Sequence, residues 1–83
     1  MMKKEVVVLR DRDILRAAMT KRNTTQKVVA EKMGIAQTAL SGNMSRDRIS
    51  MDKFKAILDA MDYDIYIVDR NTGETEWCVD VDE

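Results

Sequence analysis

The stretch that most constrains this chain is TTQKVVAEKMGIAQTALSGNMS, residues 24–45, where one glycine, Gly34, separates two short segments of helical periodicity. Thr25 is placed to cap the first segment, its hydroxyl accepting from the amide of residue 27 or 28. Val29, Ala30 and Met33 then fall on one face. Gly34 adopts a left-handed backbone without steric cost, so the chain turns sharply there and Ile35 points back to the core. The second segment, residues 36–45, sets Leu40 and Met44 on one buried line at i, i+4. Gln37, Thr38, Ser41 and Asn43 are left for its other faces. The small Ala30 suits the close crossing of two such helices.

Before this unit, EVVVL at residues 5–9 is a β-branched run that reads as a short strand or as the first turn of the following helix. Helix 1 is expected over residues 12–22, with Asp11 or Asp13 as its cap and Ile14, Leu15, Ala18 and Met19 as its apolar stripe. Asn23 and Thr24 end it. After Met44, Arg46 and Arg48 lie on a polar loop and Ile49 anchors that loop to the core. Ser50 is expected to cap helix 4, with Asp52 favourably placed in its first turn. Met51, Phe54, Ile57, Leu58 and Met61 give that helix the clearest amphipathic pattern in the chain, which is a packing pattern and not a ligand box.

From residue 63 the period changes from 3.6 to 2. Tyr63, Ile65 and Ile67 alternate with Asp64, Tyr66 and Val68; Asn71 to Gly73 supply turn residues, and ETEWCVDV resumes the alternation. This predicts a β-hairpin over residues 63–82, with Trp77, Val79 and Val81 on one face of the second strand. A lone hairpin is marginal in water, so it must pack on the helices, pair with residues 6–9, or pair with a second chain.

Eighty-three residues without proline and with three glycines predict one domain over residues 1–83, a helical head at 11–62 and the hairpin after it. A chain of this size buries roughly 60% of its unfolded surface, so dimerisation would add needed stability. The chain has no histidine and one cysteine. It therefore lacks the usual general base, the commonest metal ligand and any intramolecular disulfide, which argues against an enzyme, a metal site or a cofactor and leaves Cys78 as a small strand hydrophobe. The start, MMKKEVVVL, has too short an apolar run for a signal peptide or a membrane span, so no membrane role and a cytoplasmic location are expected.

The net charge is −1, but it is unevenly placed: residues 1–55 hold 13 Lys and Arg against 6 Asp and Glu, and residues 56–83 hold 1 against 9. A basic helical part fits phosphate binding, and an acidic end fits a surface turned away from nucleic acid.

The run Gln26, Ala30, Gly34, Ile35, Gln37, Thr38, Leu40, Ser41 resembles, in residue type and spacing, the lambda-repressor/Cro-type helix-turn-helix (XRE) family, over about residues 12–62. The resemblance implies an α+β fold: a lambda-repressor-like helix-turn-helix bundle of about four helices, here with a short N-terminal strand and a C-terminal β-hairpin. It also implies a DNA-binding regulator whose second motif helix reads the major groove. On that basis Gln37 is the foremost base reader, since amides pair bidentately with adenine. Thr38, Ser41 and Asn43 join it as base-contacting positions. Gln26 opens the preceding helix near a phosphate and braces Gln37, and Lys27, Arg46 and Arg48 are the other candidates for the phosphate backbone. Gly42 departs from the longer basic or polar residues of many relatives. It removes a contact and weakens the helix by roughly 1 kcal/mol relative to alanine, so the helix is expected to be short or irregular at its end.

The expected function is thus a repressor-like regulator, of the kind found in phages and mobile elements, that binds double-stranded DNA at a palindromic operator as a homodimer through Trp77, Val79 and Val81. A rival reading keeps the fold but assigns a protein partner to the acidic C-terminal part, as in an antitoxin, an antirepressor or an inhibitor of a defence nuclease.

Overall fold

A computed structural model describes residues 8–80. Four helices come first: α1 (Asp11–Lys21), α2 (Gln26–Met33), α3 (Gln37–Met44) and α4 (Met51–Ala60). Two short antiparallel strands follow, β1 (Tyr66–Val68) and β2 (Thr75–Cys78). The core lies among the helices, where Leu15, Val29, Leu40, Met44 and Ile57 are the largest fully buried side chains. Ala30 is buried where α2 packs on its neighbours, as its size requires.

The expected helix boundaries hold to within a residue or two, and the caps explain the differences. Thr25 accepts from the amide of Val28 at 3.4 Å and so starts α2. Gly34, at φ +72°, ends it, the amide of Ile35 returning to the carbonyl of Ala30 at 3.0 Å. Asn23 and Asp62, both at positive φ, do the same work without glycine at the ends of α1 and α4. Arg22 completes the second of these ends. Its Nε donates to the carbonyl of Met61 at 2.9 Å and Nη2 to that of Asp62 at 3.2 Å, while its guanidinium lies 4.1 Å from the centre of the Tyr63 ring. The end of α1 is thereby fastened to the end of α4.

Two expected caps are not formed. Arg10 is the N-cap of α1 and makes no side-chain bond, because Asp11 is already the first helical residue and turns its carboxylate to other amides. Ser50 occupies the N-cap of α4, but its hydroxyl donates to Asp52 Oδ1 at 2.6 Å instead of accepting from the helix. Met51 leaves the predicted stripe, being 54% exposed at the first residue of α4, whereas Phe54 is half-buried and Ile57 and Leu58 are buried. Burial thus deepens along the helix towards the part that α1 and α2 cover. Lys55 is buried among these residues, and its ammonium pairs with Asp59 one turn on; that bond raises its pKa.

The helix α3 runs through Gly42 to Met44, so its end is more regular than its sequence suggests. The strand expected over residues 5–9 lies largely outside the described residues; at Val8 and Leu9 the chain has no regular structure, and neither belongs to α1. The hairpin pairs Tyr66 with Cys78, Ile67 with Trp77 and Val68 with Thr75, with a bulge between Ile67 and Val68. Its turn is held by Asp69, whose carbonyl accepts from Gly73 at 2.7 Å and whose side chain accepts from Asn71 at 2.8 Å. Tyr63 and Ile65, which lead into β1, pack against the core. The strands beyond them are exposed on both faces. Cys78 is exposed with them, so it is no packing residue.

Candidate nucleic-acid interface

The buried pair Leu40 and Met44 fixes the rotation of α3, which leaves Gln37 and Thr38 exposed at its N-terminus. Ala36 caps that end in an extended conformation, and its carbonyl accepts from both Ala39 (3.0 Å) and Leu40 (3.2 Å). The amides of Gln37 and Thr38 precede these bonds and have no acceptor within the helix, so they add partial positive charge beside the two polar side chains. Ser41, one turn further on, is half-buried and donates to Gln26 Oε1 at 2.5 Å. Gln26 therefore braces Ser41, where the resemblance implied that it braces Gln37. The reason is geometric, since Ser41 is the residue of α3 that faces the first turn of α2.

Thr38, Asn43, Arg46 and Arg48 converge on one open groove, bounded by the exposed face of α3, the loop at residues 45–50 and the first turn of α4. Gly42 lines it between Thr38 and Asn43. Ala39, Ile49, Ser50 and Lys53 complete the lining, and every charged group on it is a cation. Asp47, between the two arginines in sequence, is exposed but does not line the groove. Gln37 stands outside the groove at the start of the same helix. Gln26 and Lys27 sit on the first turn of α2, the former tied to Ser41 and the latter exposed.

Sequence reasoning missed Lys53 and the groove-facing position of Ser50. The signal for Lys53 was present, because it falls off the Phe54, Ile57, Leu58, Met61 stripe and follows the basic loop by one helical turn. Two carboxylates flank this region and are held in the charged form. Asp52 is held below the usual carboxylate range by the Ser50 hydroxyl and by the amide of Lys53. Asp11 is held below it by the amide of Ile49, at 3.1 Å, and by that of Arg12, at 2.6 Å.

On the hairpin, Trp77 is 66% exposed and lies opposite Ile67, which is also exposed, while Val79 is half-buried and donates its amide to Ile65 at 2.7 Å. Val81 lies outside the described residues. Among the described residues no three His, Cys, Asp or Glu side chains gather in a way that would hold a metal ion, and no helix is long and apolar enough to cross a membrane.

A family model described as helix-turn-helix matches residues 15–68, which takes in nearly all of the helical head, the groove and the first hairpin strand. The chain belongs to the lambda-repressor/Cro-type (XRE) helix-turn-helix family. At the family level it is a DNA-binding regulator, and the family is generally non-enzymatic. Nothing among curated proteins or solved structures matches it. In family terms α2 and α3 are the two helices of the motif, with Gly34 at their turn and α3 as the second.

Proposed function

We propose that this helix-turn-helix protein is a cytoplasmic transcriptional repressor that binds a palindromic operator as a homodimer. The observation that supports this best is the joining of an exposed polar helix start, Gln37 and Thr38, to an all-cationic groove bearing Arg46, Arg48 and Lys53. In this reading α3 enters the major groove by its N-terminus, where Gln37 takes a base edge bidentately and Thr38, Ser41 and Asn43 lie along the same groove. Arg46, Arg48 and Lys53 meet the adjacent phosphates, and Lys27 and Gln26 meet those beside the start of α2.

The dimer is assigned to the hairpin. Ile67 and Trp77 form an exposed cross-strand pair continuous with Ile65 and Val79, and both outer strand edges are unpaired among the described residues. Covering that face with a second copy hides the apolar pair and an open edge together. Two heads related by a two-fold axis then meet half-sites about one helical turn, ~34 Å, apart. The rival, a basic protein partner on the acidic hairpin segment, draws on the same exposed pair, Ile67 and Trp77, and on Glu74, Glu76 and Asp80 of the same segment.

Titrations of Gln37→Ala and Arg46→Ala on an operator duplex and on a scrambled duplex, each at two salt concentrations, test the DNA reading. Gln37→Ala is expected to lose about 1–3 kcal/mol on the operator alone, and Arg46→Ala to weaken both duplexes alike and lower the salt slope by about one. Equal losses on both duplexes for Gln37→Ala would remove it as a reader. Light scattering at micromolar concentration, with Trp77→Ser as the interface variant, tests the dimer: the wild type should run as a dimer and the variant as a folded monomer. A wild type that is monomeric throughout and still binds a half-site tightly would refute both the interface and the palindrome.

A further inference from the structure

The loop at residues 45–50, which carries Arg46 and Arg48, is tied to the helices at its two ends, where Ser45 donates to the carbonyls of Ser41 and Gly42 and the Ser50 carbonyl accepts from Phe54. Among the described residues the amide of Ile49 is the one amide of residues 46–50 that finds an acceptor, and that acceptor is Asp11 Oδ2, 38 residues away on α1. We infer that Asp11 is a positioning residue for DNA binding: by gripping the peptide between Arg48 and Ile49 it fixes the backbone from which the groove's two arginines project. The inference rests on the DNA reading above and deepens it.

Three observations carry it. First, Asp11 is not occupied as a cap in the ordinary way. Arg10 is the N-cap of α1, and the Asp11 carboxylate divides its two oxygens, Oδ1 to the amide of Arg12 in its own first turn and Oδ2 to the loop. Second, the held peptide is the one that directly follows Arg48. A bond there restrains the ψ of Arg48 and leaves the side chain free to reach outward. Third, Ile49 is half-buried against the core and lines the groove, so its side chain and its amide fasten the loop at one point from two directions.

The arrangement also disposes of the carboxylate's charge, which would repel a phosphate. Both oxygens of Asp11 are taken by amides, and Arg10 and Arg12 flank it in sequence. Without this bond the middle of the loop would be held by the Ile49 side chain alone and would sample more conformations when free. The cost of ordering it would then fall on the binding step, and fewer of its cations would sit in register with the phosphates.

The test is binding of the full chain to a mixed-sequence duplex across a range of salt, since phosphate contacts need no operator. Asp11→Ala is expected to reduce the slope of log affinity against log salt by about one to two. Asp11→Asn, which keeps one carbonyl oxygen, should recover part of it. Arg48→Ala should cost less in the Asp11→Ala background than in the wild type, because the two act through one loop. Hydrogen exchange at the Ile49 amide should quicken in Asp11→Ala. Ile57→Val, a mild core variant that lines no part of the groove, serves as the control for lost stability and should keep the wild-type slope. A wild-type slope in Asp11→Ala, with a full and additive effect of Arg48→Ala, overturns the inference while leaving the DNA reading intact. A wild type that binds no duplex at any salt overturns the DNA reading, and the inference with it.

Discussion

Gly42 and Gly34 offer a paired perturbation in which the surroundings are the same and only the backbone differs. A Cβ built on either meets no atom within 4 Å, so alanine at either position neither clashes nor gains a buried contact. Gly42 lies inside α3 with an ordinary helical backbone, whereas Gly34 holds φ +72°. Gly42→Ala should therefore show the helix-propensity difference alone, a gain of about 1 kcal/mol. For a domain of this size that raises Tm by roughly 4–8 °C. Gly34→Ala should move the other way by about 1–2 kcal/mol, the steric cost of a left-handed alanine. The assay is thermal unfolding followed by circular dichroism at 222 nm, with denaturant titration to give the free energies. A lower Tm for Gly42→Ala would refute the reasoning, since it would mean that α3 does not continue as a helix past Ser41. Equal losses at both glycines would say that the methyl groups meet something, and that the space around them is not open.

The other predictions concern the core and the carboxylates. Leu58→Ala should cost about 2–5 kcal/mol, as a buried leucine with cavity formation requires, whereas Met51→Ala, despite sharing the same sequence stripe, should stay within about 0.5 kcal/mol; denaturant titration of the two separates them, and equal losses would put Met51 in the core. Asp11 and Asp52 have folded pKa values below their unfolded ones, so the stability each contributes is present above about pH 3.9 and is lost as pH falls through the lower, folded values. Melting temperature measured from pH 7 to pH 2 should fall in that acid window, and Asp11→Ala with Asp52→Ala should flatten the fall.

The helices were legible because each states its own period, and the turns that separate them are stated by single residues: Thr25 at the start of α2 and Gly34 at its end. What the sequence hid were the choices made between competing partners for one side chain. An aspartate or serine before an apolar stripe reads as a cap, yet Asp11 spends an oxygen on a loop amide 38 residues away and Ser50 gives its proton to Asp52. Neither alternative has a local pattern, since both depend on which segments the fold brings side by side. The same is true of Arg22, whose bonds to the carbonyls of Met61 and Asp62 no spacing announces. The groove was half legible: Thr38, Asn43, Arg46 and Arg48 were singled out separately, but only the geometry joins them and adds Lys53. The hairpin's alternation was legible as two paired strands. Period 2 says that two faces exist, and it does not say that either is covered.

That exposed hairpin bears on how the salt dependence of DNA binding must be read. In the proposed dimer each copy brings Glu74, Glu76 and Asp80 towards the same residues of its mate, a repulsion that added salt screens. The cationic groove responds in the opposite sense, because salt competes with its phosphate contacts. At protein concentrations below the dimer dissociation constant, raising salt thus strengthens assembly while weakening each head's grip. The measured slope is then shallower than the number of phosphates neutralised. Above that constant only the second effect remains, and the slope steepens to its full value. The slope therefore depends on protein concentration if the hairpin joins the two heads, and is independent of it if each head binds alone.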